Sequence, residues 1–121
     1  MPRWNPLQPP EGGLPPAEVR FLDVHIEPWS EDWRKVRVHL QITPFLERPN
    51  IEVIIKDPQE EEVASIYIVE SIDDRMVFTM HIRSPEINRG SFTLQASLQY
   101  PEAGTVAQER VVFNTLPDGA I

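Results

Sequence analysis

The chain has 121 residues, 40% of them apolar, which is enough for one modest core and not for two. Nineteen Asp and Glu outweigh eleven Lys and Arg, leaving a net charge of -8 that repels phosphate backbones and anionic headgroups, so neither nucleic acid nor membrane is an expected partner. The absence of cysteine removes disulfides and thiol nucleophiles, and no apolar run reaches the roughly 18 residues of a membrane span.

Residues 1–18 read as a flexible, proline-rich leader. Six prolines and two glycines fall between Met1 and Pro16, and the apolar residues there follow no period. Trp4 and Leu7 are its candidates for docking on a sheet edge. The segment has neither an apolar h-region nor a small-residue cleavage site, so no signal peptide is expected; with no other address, the compartment is unknown and cytoplasm is the default.

Beyond residue 19 the pattern changes to strict alternation, which places successive side chains on opposite faces of a strand. In the first run Leu22, Val24 and Ile26 share the inner face, while Asp23, His25 and Glu27 share the outer one until Pro28 stops the ladder. Val36, Val38, Leu40 and Ile42 define the second strand, and Ile51, Val53 and Ile55 the third, with Ile54 a partly covered exception. A fourth strand over Glu62 to Glu70 is apolar on both faces, which predicts a cover such as the leader, a second subunit or a bulge. Met76, Phe78, Met80 and Ile82 mark the fifth, and Phe92, Leu94, Ala96, Leu98 and Tyr100 the sixth; the seventh runs from about Val106 to Asn114. A tail follows at 115–121. Twenty-two Val and Ile against fourteen Leu and Ala favour pleats over helices. Helix should be nearly absent, with at most a turn near Ser30 to Trp33 or Pro85 to Asn88.

Seven strands without a covering helix must fold into two layers. The predicted fold is therefore an all-β, immunoglobulin-like or fibronectin-type-III-like two-sheet sandwich spanning residues 19–114. No cysteine pair accompanies the tryptophans, and Tyr100 ends its strand instead of starting it, so this is a general sandwich and not an antibody-type one. Strands one, two and five are expected in one sheet and three, six and seven in the other, with strand four at an edge.

Catalytic signals are lacking. No serine stands in a G-x-S-x-G elbow, and Gly12 and Gly13 lead into Leu14, Pro15 and Pro16 instead of a phosphate-binding helix. The basic residues Arg34, Lys35 and Arg37 are offset by Glu31 and Asp32. Acidic groups at Asp57 to Glu62 and at Glu70 to Asp74 lack the spacing of a calcium loop. His25, His39 and His81 fall on the outer parity of three strands and would meet only if those strands adjoin in a suitable register. With no local ligand pair, they read as surface histidines, His39 beside Glu27 or Asp23, and no metal or other cofactor is assigned.

The remaining candidates are aromatic. Trp29 and Trp33 should close one end of the sandwich, Phe45 and Leu46 the other. Any of Trp29, Trp33, Phe45 and Tyr67 left exposed would serve as a contact. The expected function is a non-catalytic protein-interaction or structural module, with a protein partner or a second copy as the occupant of its surface. The alternative is a carbohydrate- or peptide-binding module that uses exposed aromatics.

Overall fold

Each alternating run becomes a strand in the computed structural model, which describes residues 12–28, 32–83 and 90–114. The strands are β1 (Phe21–Pro28), β2 (Lys35–Ile42), β3 (Asn50–Lys56), β4 (Glu62–Ile68), β5 (Arg75–His81), β6 (Phe92–Tyr100) and β7 (Gly104–Phe113). Antiparallel ladders join them into a three-stranded sheet, β1-β2-β5, and a four-stranded sheet, β4-β3-β6-β7. This is an all-β, immunoglobulin-like sandwich with the strand partition expected by analogy, β4 taking the edge beside β3. Among the described residues the only helical turn is a short 3-10 segment at Pro16–Glu18, opened by proline at its first position.

The core is supplied mainly by the strands that have a neighbour on both sides. Val36, Val38, Leu40 and Ile42 of β2, Ile51, Val53 and Ile55 of β3, and Phe92, Leu94, Ala96 and Leu98 of β6 are all essentially inaccessible. Removing each large side chain from water contributes about 1.5–3 kcal/mol. Inward residues of the outer strands, including Val24, Ile26, Met76, Phe78 and Phe113, are only half-buried because the sheet ends beside them. Phe113 still packs on Phe92, ring centroids 5.8 Å apart.

Three single-residue irregularities interrupt the ladders, and each inserts its extra residue into an outer strand. Phe21 pairs with Ile42 and Asp23 with Gln41, leaving Leu22 as the extra residue of β1. Leu22 is accordingly exposed and Phe21 takes the inward place, which corrects the predicted face of Leu22, while Val24 and Ile26 turn inward as expected. In β4, Val63 is skipped between the pairs Ile55–Ala64 and Lys56–Glu62. That bulge buries both Val63 and Ala64, whereas Tyr67 and Val69, the rest of the second apolar face, stay exposed without the expected cover. The carbonyl of Val63 accepts a 2.8 Å hydrogen bond from the amide of Arg83, just past β5, and ties the sheets together along this side. In β7, Val106 is skipped between Leu98–Ala107 and Gln99–Thr105.

The end of the sandwich near residues 43–49 is closed by the chain on its way in. Leu14 donates to the Pro44 carbonyl at 3.0 Å and accepts from the Leu46 amide at 2.9 Å, forming a parallel bridge with Phe45. A Cβ on Gly13 would stand 2.9 Å from the Phe45 backbone, so this close approach requires glycine. Residues 12–18, assigned to the leader by composition, thus run against the β2–β3 loop. Trp4, Leu7 and the tail at 115–121 lie outside the described residues.

Candidate functional site

Of the four aromatic candidates, Trp29 lies outside the described residues. Trp33 is half-buried against the core with the Arg34 guanidinium 4.6 Å from its ring centroid, a cation–π contact that covers one ring face. Phe45, 6% exposed, is the plug that its loop position suggested, and Leu46 beside it is the exposed residue. Among the described candidates only Tyr67 presents a large aromatic surface, at 49% exposure.

Tyr67 stands on the outer face of the four-stranded sheet because β4 alternates, Ile66 and Ile68 turning in while Tyr67 turns out. Its hydroxyl donates to Gln99 Oε1 on β6 at 3.3 Å, which restrains the ring across the intervening β3. Between them an open hollow of about 290 Å³ is lined by Asn50, Tyr67, Gln99, Tyr100, Pro101, Gly104 and Thr105. Asn50 Oδ1 accepts from the Glu70 amide at 2.8 Å, and this orients the side-chain amide at the rim. Glu52 is the cross-strand partner of Tyr67. One restrained aromatic ring, amides and a hydroxyl therefore share a concave polar surface.

Tyr100, at the base of this hollow, is buried, and its hydroxyl donates to the Glu47 carbonyl at 2.9 Å. The bond joins the end of β6 to the β2–β3 loop, a long-range clamp at the end where Tyr100 leaves its strand. Burial, with a further contribution from the Glu47 carboxylate, pushes the phenol up to about 12.

A second cluster lies on the outer face of the three-stranded sheet. His25 and His39 are direct cross-strand partners, their rings stacked with centroids 4.2 Å apart and planes 10° from parallel. His25 Nδ1 is 2.6 Å from Asp23 Oδ2. Glu27 Oε1 is 2.8 Å from His39 Nε2 and 3.9 Å from His25 Nε2. The expectation of His39 beside Glu27 is met. The contact is nevertheless misdirected for a hydrogen bond, so His39 Nε2, shut off from solvent, has no hydrogen-bond partner. His81 does not join them: β2 and β5 are paired with His39 opposite Val77 and Lys35 opposite His81, four residues along, or about 13 Å. One ligand atom each from His25, Glu27 and His39 lies within 4.8 Å of the other two, the only such group among the described residues. Glu27 as the third member was not assigned from sequence, although its two-residue spacing from His25 puts both on one strand face.

The acidic turn after β3 is structural. Asp57 is buried, and its Oδ1 accepts from the amides of Gln59 and Glu61 at 2.9 Å each, an Asx-type turn that holds the bend.

No family model matches the sequence, and no curated protein matches it. Solved structures do share the fold. A β-glucuronidase from Bifidobacterium dentium, complexed with coumarin-3-O-glucuronide, aligns with a TM-score of 0.62 at 19% identity, covering 82% of this chain and 18% of that one. An FMN-binding β-glucuronidase from Facaelibacterium prausnitzii gives 0.59 at 16% identity over 79% and 16%. A glycosyl hydrolase family 2 member from Bacteroides cellulosilyticus gives 0.52 at 15% identity over 80% and 15%. The chain thus spans less than a fifth of each of these much larger glycosidases, at identities that speak to fold alone.

Proposed function

We propose that the chain is a non-catalytic sandwich module that binds carbohydrate in the hollow beside Tyr67. The observation that carries this reading is the pairing of a half-exposed, hydrogen-bonded tyrosine ring with the amides of Asn50 and Gln99 and the hydroxyl of Thr105 around one open concavity. A sugar ring has an apolar C–H face and a polar hydroxyl rim, and this surface offers a counterpart to each. Glu52 opposite Tyr67, together with the net charge of -8, disfavours a uronate and favours a neutral sugar. Likeness to a small part of several glycosidases supports a supporting role beside carbohydrate chemistry and not the chemistry itself.

Affinity electrophoresis of the full chain through gels containing neutral polysaccharides, followed by titration calorimetry with the best oligosaccharide, tests this. Tyr67→Ala should weaken binding about tenfold or more while the circular dichroism stays that of the wild type. Retention by no neutral glycan, or binding indifferent to Tyr67→Ala, refutes it.

Self-association is the second reading, favoured by Val69 and Ile72, which are 66% and 55% exposed just after β4. Sedimentation equilibrium decides it: a concentration-dependent dimer supports the reading, and a monomer at all concentrations removes it.

A further inference from the structure

We infer that His25, Glu27 and His39 form a binding site for a divalent transition-metal ion of zinc-like preference, with Asp23 as the residue that positions His25. The site is independent of the sugar-binding reading and lies on the other sheet.

Three features of the cluster point to an ion. First, the 2.6 Å contact with Asp23 engages His25 Nδ1 as the donor, which leaves the Nε2 lone pair to face Glu27. A carboxylate behind a histidine is the usual means of fixing the tautomer and orientation of a metal ligand. Second, two imidazole Nε2 atoms converge on one carboxylate oxygen, whereas an ordinary ion pair needs only one. Third, His39 Nε2 is cut off from water and meets Glu27 only through a misaligned 2.8 Å contact, an arrangement that a bound ion would complete.

The distances are close to those required. Ligand atoms about 2.1 Å from a tetrahedral ion stand about 3.4 Å from one another. The contacts to Glu27 are 2.8 and 3.9 Å, so adjustments of about half an ångström suffice there. Rings 10° from parallel cannot both aim a lone pair at one ion, so binding opens the stack. The torsion about the Cβ–Cγ bond of histidine is broad, and His25 and Asp23 are both half exposed, so the two can turn together with their hydrogen bond kept.

Two imidazoles and one carboxylate suit zinc, copper, nickel or ferrous iron, and not calcium or magnesium, which require oxygen ligands throughout. Three protein ligands leave the fourth position for water or an external donor. Because His25 and Glu27 lie on β1 and His39 on β2, the ion would also staple an outer strand to its neighbour.

Titration calorimetry of the full chain with zinc chloride in a non-chelating buffer at pH 7.5 tests the inference. One equivalent should bind with micromolar affinity. His25→Gln, Glu27→Gln and His39→Gln should each weaken binding about tenfold or more, and Asp23→Asn similarly, while His81→Gln changes nothing. Each variant is first checked for an unchanged metal-free melting temperature. Should a variant fail to fold, electron paramagnetic resonance of copper bound to the wild type supplies the readout, with hyperfine coupling from two imidazole nitrogens expected. Millimolar or non-stoichiometric zinc binding, equal losses in His81→Gln and His39→Gln, or a copper spectrum with one nitrogen or none overturns the assignment.

Discussion

Replacing Tyr100 with Phe keeps the ring in the core and removes only the hydroxyl that reaches the Glu47 carbonyl. Near neutral pH the loss of that bond should cost about 1 kcal/mol, and more if the carbonyl is left without a partner. The alkaline range is more informative. The unfolded chain releases the phenolic proton near 10.0, the folded chain only near 12, because burial and then the Glu47 charge oppose the phenolate. Between those values the unfolded state binds fewer protons than the native one, so stability falls as pH rises. The contribution of the neutral phenol is complete below pH 10 and lost through about pH 12, and two units of separation correspond to about 3 kcal/mol. Urea unfolding of wild type and Tyr100→Phe between pH 8 and pH 12 should therefore show the variant's deficit shrinking from pH 10 upward, until the two proteins are level or the variant leads. A deficit that stays constant across the whole range would refute the argument that this phenol is protected in the folded state.

Two further substitutions probe the packing. Leu94→Ala should cost about 2–5 kcal/mol by opening a cavity among fully buried neighbours, whereas Phe78→Ala, on a half-buried outer strand, should cost about half as much; chemical denaturation that reverses this order contradicts the burial pattern. Gly13→Ala places a methyl 2.9 Å from the Phe45 backbone and should release residues 12–18 from the β2–β3 loop, with faster proteolysis there and a loss of about 1–2 kcal/mol; unchanged cleavage would show that the contact does not hold the segment.

The two-residue period made most of the architecture readable. Val36 to Ile42 and Phe92 to Tyr100 alternate in sequence and lie inside their sheets, and their burial follows suit except at Ser97, which is buried on the outward parity. Faces were harder to read in the outer strands. Leu22 obeys the alternation of its run, yet the skipped residue in the β1–β2 ladder turns it outward, and nothing in composition marks that position because leucine and phenylalanine are equally apolar. The histidine cluster was legible only by half. Parity put His25, Glu27 and His39 on outer faces, but which of the three histidines meet depends on register, and register is a property of pairs of strands. Tyr67 was identifiable as outward-facing, while Gln99, its partner, lies 32 residues away and gave no local signal.

The three bulges have a consequence for how the molecule meets its own copies. β1, β4, β5 and β7 are the four borders of the two sheets, and three of them carry one residue out of step. A foreign strand that began to extend either sheet would find the row of amides and carbonyls on such a border kinked away from it. Main-chain zippering is thereby discouraged along every border but β5. A lasting contact between copies is left to the unkinked β5 border or to side chains meeting flat surface to flat surface.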